Sequence, residues 1–219
     1  MLNIPNVCEG LCKHNLKSLE TRMIVLTGGP GAGKTAVLEM AKKVLCHHVV
    51  ILPEAASIIF GGGFWRMNSS SARMAAQRAI LHVQIELENL VIEEKKWAVG
   101  LCDRGTLDGL AYWPNGEENF WETTHSQLKT EYAKYFGVIH LRSPTDLLGY
   151  NQQNTLRIET ALQSKEIDDK IALAWSKHPN YHVIENSEDF LTKAHSAIAL
   201  ISEMIPEFSR VNLNLNFKS

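Results

Sequence analysis

Five short apolar runs recur along the chain, and each is continuous rather than alternating with polar residues. They lie at residues 23–26 (MIVL), 49–52 (VVIL), 97–102 (WAVGLC), 136–141 and 181–184. A continuous apolar run of this length is typical of a strand that is buried on both faces. The runs therefore predict five parallel strands in a sheet with helices on each side.

Helical patterns occupy the intervals between these strands. We expect helices over about residues 34–45, 72–95, 118–135, 165–177 and 187–204. The longest should carry its apolar stripe on Ala76, Ile80, Val83, Leu87, Leu90 and Val91. Serines 69–71 are suited to capping its first turn, whereas the glycines at 61–63 indicate an irregular segment before it.

Length and composition are those of one ordinary globular domain. The chain has 219 residues, a net charge of −2 and a pI near 6.5, so nothing in the overall charge favours a nucleic-acid partner. We predict an N-terminal extension (1–21), a domain (22–204) with a lid at about 142–160, and a C-terminal tail (205–219). No apolar run approaches the roughly 20 residues of a membrane span, and no secretory signal is recognisable. The cytoplasm is the expected compartment.

The four cysteines are expected to be reduced thiols, because a domain of this size does not need disulfides. Cys8 and Cys12 lie near His14. Their spacing, without a second pair of ligands, is weak support for a zinc site.

The first predicted strand leads directly into the sequence GGPGAGKT at residues 28–35. Its pattern, G-x4-G-K-T between a strand and a helix, is that of a phosphate-binding loop. Glycines allow the backbone to curl so that its N–H groups face an anion, while Lys34 adds a charge and Thr35 offers a hydroxyl to Mg²⁺. We therefore expect ATP, or alternatively GTP, to bind at Gly28, Gly29, Pro30, Gly31, Ala32, Gly33, Lys34, Thr35 and Ala36.

Acidic residues follow the second and third predicted strands. Glu54 and Asp103 should meet at the carboxyl edge of the sheet, where open α/β sheets bind ligands. Asp103 is the candidate for holding Mg²⁺ together with Thr35, and Glu54 is the candidate base for an acceptor hydroxyl. Arg104 could anchor the acceptor or its phosphate through its planar fork of donors. Asp108 could contact acceptor hydroxyls or cap a helix at Leu110.

Three further features could serve an acceptor. Phe64 and Trp65, beside three glycines, could form a lid that stacks on a planar ring, or could pack in the core. Gln77 and Gln84 lie two helical turns apart and could read the edge of a base. Arg157, in the same stretch as Arg142, could stabilise the charge on a transferred phosphoryl group, or could form an exposed ion pair with Glu159 or Asp146.

These motifs resemble those of a known family of P-loop proteins, the NadR-like and AAA-domain predicted ATPases and kinases. This family includes ribosylnicotinamide kinase domains and is similar to deoxynucleoside and thymidylate kinases. The resemblance rests on GGPGAGKT, on PEAA at 53–56, on CDRGTLDGLAYW at 102–113, and on the stretch from NTLRIE to AWSKHP at 174–179. It implies a three-layer P-loop NTPase fold with strand order 2-3-1-4-5, a lid that contains Arg157, and phosphoryl transfer to a small hydroxyl acceptor.

Two functional hypotheses follow. In the first, the protein is a kinase that transfers the γ-phosphoryl group of ATP·Mg to a small, nucleoside-like metabolite. In the second, it is a regulatory NTPase whose nucleotide state reorders loops for a protein or lipid partner. The absence of helicase motifs after the phosphate loop argues against a nucleic-acid motor. The sequence leaves the acceptor and the oligomeric state open.

Overall fold

The computed structural model describes residues 20–144, 161–187 and 189–206. Their strands and helices alternate along the chain in the following order: β1 (Arg22–Thr27), α1 (Lys34–Val44), β2 (Val49–Leu52), α2 (Ala55–Gly61), α3 (Ser70–Glu94), β3 (Val99–Asp103), a 3-10 helix (Thr106–Tyr112), α4 (Gly116–Thr124), α5 (Leu128–Ala133), β4 (Gly137–Leu141), α6 (Ala161–Trp175), β5 (Tyr181–Ile184) and α7 (Phe190–Met204).

The five strands form one parallel sheet in the order β2-β3-β1-β4-β5, as predicted. Side chains of β1 alternate between the two faces. Ile24 and Leu26 pack with α1 and α7, whereas Met23 and Val25 pack with α6 and the 3-10 helix. Because both faces of the central strands are covered, the strands are mostly apolar, which is why their runs are continuous. The result is a three-layer α/β fold, and the described residues contain no helix long and apolar enough to cross a bilayer.

The core extends slightly beyond the predicted domain boundary. Ile205, which we placed in the tail, is fully buried in the cluster that α7 forms with the sheet. At the other end, the Thr21 hydroxyl donates to the carbonyl of Trp97 at 2.9 Å. Residues 1–19 and 207–219 lie outside the described part of the chain, and with them Cys8, Cys12 and His14.

Three predictions about helices need correction. The segment after Glu54 is irregular only in part, because Ala55–Gly61 form α2, which Gly62 caps, and residues 62–69 are irregular as predicted. The helix predicted near 118–135 is two helices. His125 adopts a left-handed conformation (φ 53°) that ends α4, and Gln127 is extended before α5 begins.

The apolar stripe of α3 is also partly wrong. Leu90 is 55% exposed, whereas the polar residues Gln84 and Glu88 are buried. They are buried because Glu88 accepts hydrogen bonds from Gln84 Nε2 at 2.8 Å and from the Tyr135 hydroxyl at 2.7 Å. The start of α3 agrees with the prediction, since the Ser69 hydroxyl accepts from the Ala72 amide and caps the helix.

Candidate functional site

The phosphate-binding loop joins β1 to α1 at the carboxyl edge of the sheet. Its first position requires glycine: Gly28 has φ 139°, and a Cβ there would lie 2.1 Å from the carbonyl oxygen of Leu141. Gly33, at the start of α1, has φ 94°, and a Cβ there would lie 2.5 Å from the ring of Phe190. The loop is therefore shaped by close packing on β4 and α7 as well as by its own sequence.

Lys34 begins α1, and its side chain turns back over the loop. Its Nζ donates to the carbonyls of Gly28 at 2.8 Å and Gly29 at 3.0 Å. Burial lowers the pKa of Lys34 to about 8, with a further contribution from the like charge of Arg104. The ammonium group therefore remains mostly charged at neutral pH and is available to an anion in the loop.

Glu54 and Arg104, from the ends of β2 and β3, form an ion pair. Arg104 Nε donates to Glu54 Oε1 at 2.7 Å, and Ser57 donates to the other carboxylate oxygen. Burial would raise the pKa of Glu54, but Arg104, Ser57 and Lys34 outweigh burial and lower the pKa to about 2. The carboxylate is thus ionised across the physiological pH range.

The backbone of Arg104 explains how this arginine reaches its partners. Its φ is 74°, in the left-handed region that non-glycine residues seldom occupy, and its N–H donates to the carbonyl of Leu26 at 3.1 Å. Besides Glu54, its Nη1 bonds Asp108 Oδ2 and the Gly28 carbonyl, each at 3.1 Å. Within the described residues no hydrogen bond is made by Nη2, so this end of the fork can meet a ligand.

Asp103 behaves differently from Glu54. Burial raises its pKa to about 6, against the opposing effect of Lys34. Its Oδ1 is buried and has no hydrogen-bond partner among the residues that the structure describes. A buried carboxylate oxygen without a donor, in the same cavity as the exposed Thr35, is the kind of ligand that Mg²⁺ prefers, so the residues present fit the cation.

Asp108 lies inside the 3-10 helix and does not cap a helix at Leu110, so that predicted role is wrong; it lines the cavity, and its contact with an acceptor hydroxyl stays a prediction. It is buried in the 3-10 helix, where Thr27 donates to its Oδ2 at 2.6 Å and the Trp175 indole donates to its Oδ1 at 2.8 Å. Thr27 and Trp175 hold the Asp108 carboxylate in place, and this carboxylate accepts a hydrogen bond from Arg104, so Asp108 positions the arginine. Arg104 is only four residues away, but Thr27 and Trp175 come from distant parts of the chain, which local spacing does not reveal.

Asp168 on α6 is a site residue that the sequence analysis missed. Its Oδ1 accepts from the Gly29 amide at 2.7 Å and lies 2.8 Å from Nε2 of His140, while its Oδ2 accepts from the Ser143 amide at 3.2 Å. Burial opposes ionisation, but these hydrogen bonds keep its pKa below the usual value. Asp168 thus fixes the back of the phosphate loop. Its position in a helix 139 residues from Gly29 gave no sequence signal.

One cavity of about 1330 Å³ connects these groups. It is larger than the roughly 300–1,000 Å³ of a pocket for a single small molecule. Its lining includes four of the five predicted catalytic residues, Lys34, Glu54, Asp103 and Arg104. The fifth, Arg157, lies outside the described residues. Arg142, from the same stretch of sequence, forms ion pairs with Asp168 at 3.1 Å and Asp169 at 2.5 Å.

The aromatic segment after α2 lies at the rim of this cavity. Trp65 is 79% exposed and Phe64 is 39% exposed, so the alternative that they pack in the core is wrong. Phe60 and Trp65 line the cavity, and Arg66 lies over the Phe60 ring at 4.8 Å. An exposed aromatic surface at the rim is compatible with the prediction that Phe64 and Trp65 form a lid.

Gln77 and Gln84 line the part of the cavity formed by α3. Glu88 takes one donor of the Gln84 amide, as described above, and thereby fixes the orientation of this side chain. The lining of the cavity also includes Phe190, which the sequence analysis missed. Its position just after β5, at the ligand-binding edge of the sheet, was the one available signal.

Fold and site together define a P-loop α/β protein. The family profile described as AAA domain matches residues 23–193, which is most of the chain, so the protein belongs to this family. The resemblance inferred from GGPGAGKT and the strand-end motifs is thereby confirmed. Among curated protein sequences, none matches the chain.

Solved structures with the same fold include the following two. NadR protein in complex with NR aligns with a TM-score of 0.65 and 12% identity over 85% of this chain and 52% of NadR, so the present chain spans about half of that protein. Deoxyadenosine kinase from M. mycoides with bound dATP aligns with a TM-score of 0.59 and 14% identity over 82% of this chain and 98% of the kinase. At such low identity the likeness establishes the fold, which is that of P-loop kinases.

Proposed function

We propose that this protein is a kinase that transfers the γ-phosphoryl group of ATP·Mg to a hydroxyl group of a small, nucleoside-like metabolite. The observation that carries the proposal is the Glu54–Arg104 pair in the same cavity as the phosphate loop. Hydrolysis alone would need a water molecule beyond the phosphates, whereas this cavity has space for a second organic molecule.

The donor nucleotide is assigned to the loop from Gly28 to Ala36. Backbone N–H groups and the start of α1 favour the phosphates, and Lys34 supplies a positive charge. The ring of Phe190 lies against Gly33 and lines the cavity, and we infer that it contacts the donor base. Thr35 and Asp103 would hold Mg²⁺, which, when bound, neutralises charge on the β- and γ-phosphates. GTP is the alternative donor.

In the proposed reaction the acceptor oxygen forms a bond to the γ-phosphorus while the bond from that phosphorus to the β–γ bridging oxygen breaks, leaving ADP. Glu54 is ionised, so it accepts a hydrogen bond from the acceptor hydroxyl and directs an oxygen lone pair at the phosphorus. Such a low pKa makes Glu54 a weak base, which suits a loose transition state in which the proton leaves late. The proton passes through Glu54 to solvent. Arg104 Nη2 and Arg157, in the role predicted for it from the sequence, would stabilise charge on the transferred group.

The acceptor is proposed to be planar at one end and hydroxylated at the other. Its hydroxyl must reach Glu54, and its ring would extend toward α3 and the aromatic rim. Gln84, oriented by Glu88, retains its amide oxygen and one N–H for the edge of a base or a carboxamide. NadR bound to NR and deoxyadenosine kinase bound to dATP share this fold and support ligands of that class.

The test is ADP release from ATP·Mg by the purified protein with nucleosides, nicotinamide riboside, nucleoside monophosphates and sugars as acceptors. One acceptor should raise the rate well above the background without acceptor. Lys34→Ala should abolish this rate, whereas Lys42→Ala, an exposed lysine on the same helix, should not change it. Glu54→Gln should lower kcat for the stimulated reaction.

If none of the acceptors raises the rate of ADP release above the background, the kinase proposal is contradicted. If slow hydrolysis remained and depended on Lys34, the regulatory NTPase would replace it, and a protein or lipid partner that stimulates hydrolysis would then be sought. Tight nucleotide binding without any turnover would leave a binding protein.

A further inference from the structure

Three consecutive residues in the turn between α1 and β2 bring potential metal ligands together. Cys46 Sγ lies 3.2 Å from Nδ1 of His48 and 3.9 Å from Nδ1 of His47. The ligand atoms that the three residues offer all lie within 4.8 Å of one another, and the two imidazole rings are 4.0 Å apart. Such a convergence of one thiol and two imidazoles is a set of donors typical of a site for a borderline or soft cation.

The turn that carries these donors is held on both sides. The Val49 amide donates to the Cys46 carbonyl at 2.9 Å, which closes the turn. The amides of Ala98 and Val99 both donate to the carbonyl of His48, at 2.9 and 3.2 Å, which ties the turn to the start of β3. Cys46 and His48 are buried, whereas His47 is exposed and leaves a path from solvent. The donors are therefore preorganised and accessible.

The spacing suits tetrahedral coordination. With typical bonds from Zn²⁺ to thiolate sulfur and to imidazole nitrogen, a tetrahedral edge from sulfur to nitrogen is about 3.5 Å. The two observed distances, 3.2 and 3.9 Å, lie on either side of this value. Mg²⁺, which prefers oxygen ligands, would not select this set.

We propose that Cys46, His47 and His48 form a Zn²⁺ site with three protein ligands and an open fourth position for water. Binding converts the Cys46 thiol to a zinc-bound thiolate, and the thiol proton is released to solvent. The site lies at the amino end of β2, whereas Glu54 follows its carboxyl end. The four residues of β2 span about 13 Å, so this site is separate from the proposed Mg²⁺ site.

The test uses Co²⁺ as a spectroscopic probe on the full chain after chelator treatment. One equivalent should produce the visible bands of tetrahedral cobalt and a near-ultraviolet band from thiolate-to-cobalt charge transfer, and Zn²⁺ should displace both. Cys46→Ser should remove the charge-transfer band. His47→Ala, at an exposed position that leaves the core intact, should weaken Co²⁺ and Zn²⁺ affinity by about tenfold or more. His82→Ala, an exposed histidine on α3, should leave the affinity unchanged.

Two results would overturn the proposal. The first is the absence of cobalt bands in the unaltered protein, which would leave the contact between Cys46 and His48 as a thiol–imidazole hydrogen bond. The second is a band that persists in His47→Ala and Cys46→Ser but is lost in the double variant Cys8→Ser, Cys12→Ser, which would place the metal at the N-terminal segment. Circular dichroism of each variant would separate loss of binding from loss of folding.

Discussion

Replacing Asp103 by asparagine should stabilise the protein at neutral pH. Burial raises the pKa of Asp103 from 3.8 to about 6, because the nearby positive charges and hydrogen-bond donors do not compensate for the loss of water around the ionised carboxylate. Between these two pH values the folded protein binds more protons than the unfolded chain. The free energy of unfolding therefore falls as the pH rises through this window, and the full penalty is present above the folded-state pKa.

The size of the effect follows from the two pKa values. A shift of about two pKa units corresponds to about 3 kcal/mol at pH 7, since each unit is worth about 1.4 kcal/mol. Near pH 4.5 only about 1 kcal/mol remains, because Asp103 is then largely protonated in the folded state. Asparagine carries no charge at any pH, so the variant should gain up to about 3 kcal/mol at pH 7 and progressively less at lower pH.

Urea unfolding between pH 4.5 and 8, without nucleotide or divalent cations, measures this difference. Glu54→Gln is the matched comparison with the opposite sign. The folded-state pKa of Glu54 is lowered from 4.5 to about 2, so the charge of Glu54 stabilises the fold above pH 4.5. The free energy of unfolding of the variant should therefore be lower by about 3 kcal/mol at pH 7. An Asp103→Asn protein that is no more stable than the original at pH 7, or whose gain does not vary with pH, would refute the reasoning.

Three other substitutions test separate contacts. Gly28→Ala places a methyl group against the Leu141 carbonyl, so ATP binding, followed by a fluorescent analogue, should be lost; binding within twofold of the original would contradict the geometry. Asp108→Ala leaves the buried guanidinium of Arg104 without one of its anions and should destabilise the fold by about 3 kcal/mol in urea, whereas a change under about 1 kcal/mol would count against its positioning role. Gln84→Leu should raise the acceptor KM about tenfold with the ATP KM unchanged, and equal changes in both constants would indicate a general structural defect.

The positions of β1, β3 and β4 were predictable because burial on both faces leaves a signal along almost the whole strand. The edge strands β2 and β5 are only partly buried, yet their bounds also agree with their apolar runs. Helices were harder to predict where single residues depart from the helical pattern. The left-handed residue His125 and the polar core residue Glu88 depend on tertiary neighbours, which the helical period of the sequence does not encode.

The site was predictable to the extent that it is local or follows from parallel strands. The loop motif is contiguous, and Glu54, Asp103 and Arg104 had to meet because β2 and β3 end at the same edge of the sheet. Asp168 could not be found in this way, because its role depends on how α6 packs behind the loop. The opposite pKa shifts of the two candidate acids also require knowledge of which one the arginine faces.

These opposite shifts support different roles for the two acids. Glu54 has a permanent partner in Arg104 and remains ionised, so it can orient a hydroxyl group. Asp103 has Lys34 as its main attractive charge, retains an oxygen without a donor, and is destabilised when ionised. Lys34 and Arg104 carry two positive charges against three carboxylates when Asp108 is included, so a free nucleotide would bring further negative charge to a site that is already negative. A divalent cation satisfies Asp103 and the phosphates together, which is why we expect the nucleotide to bind as its magnesium complex.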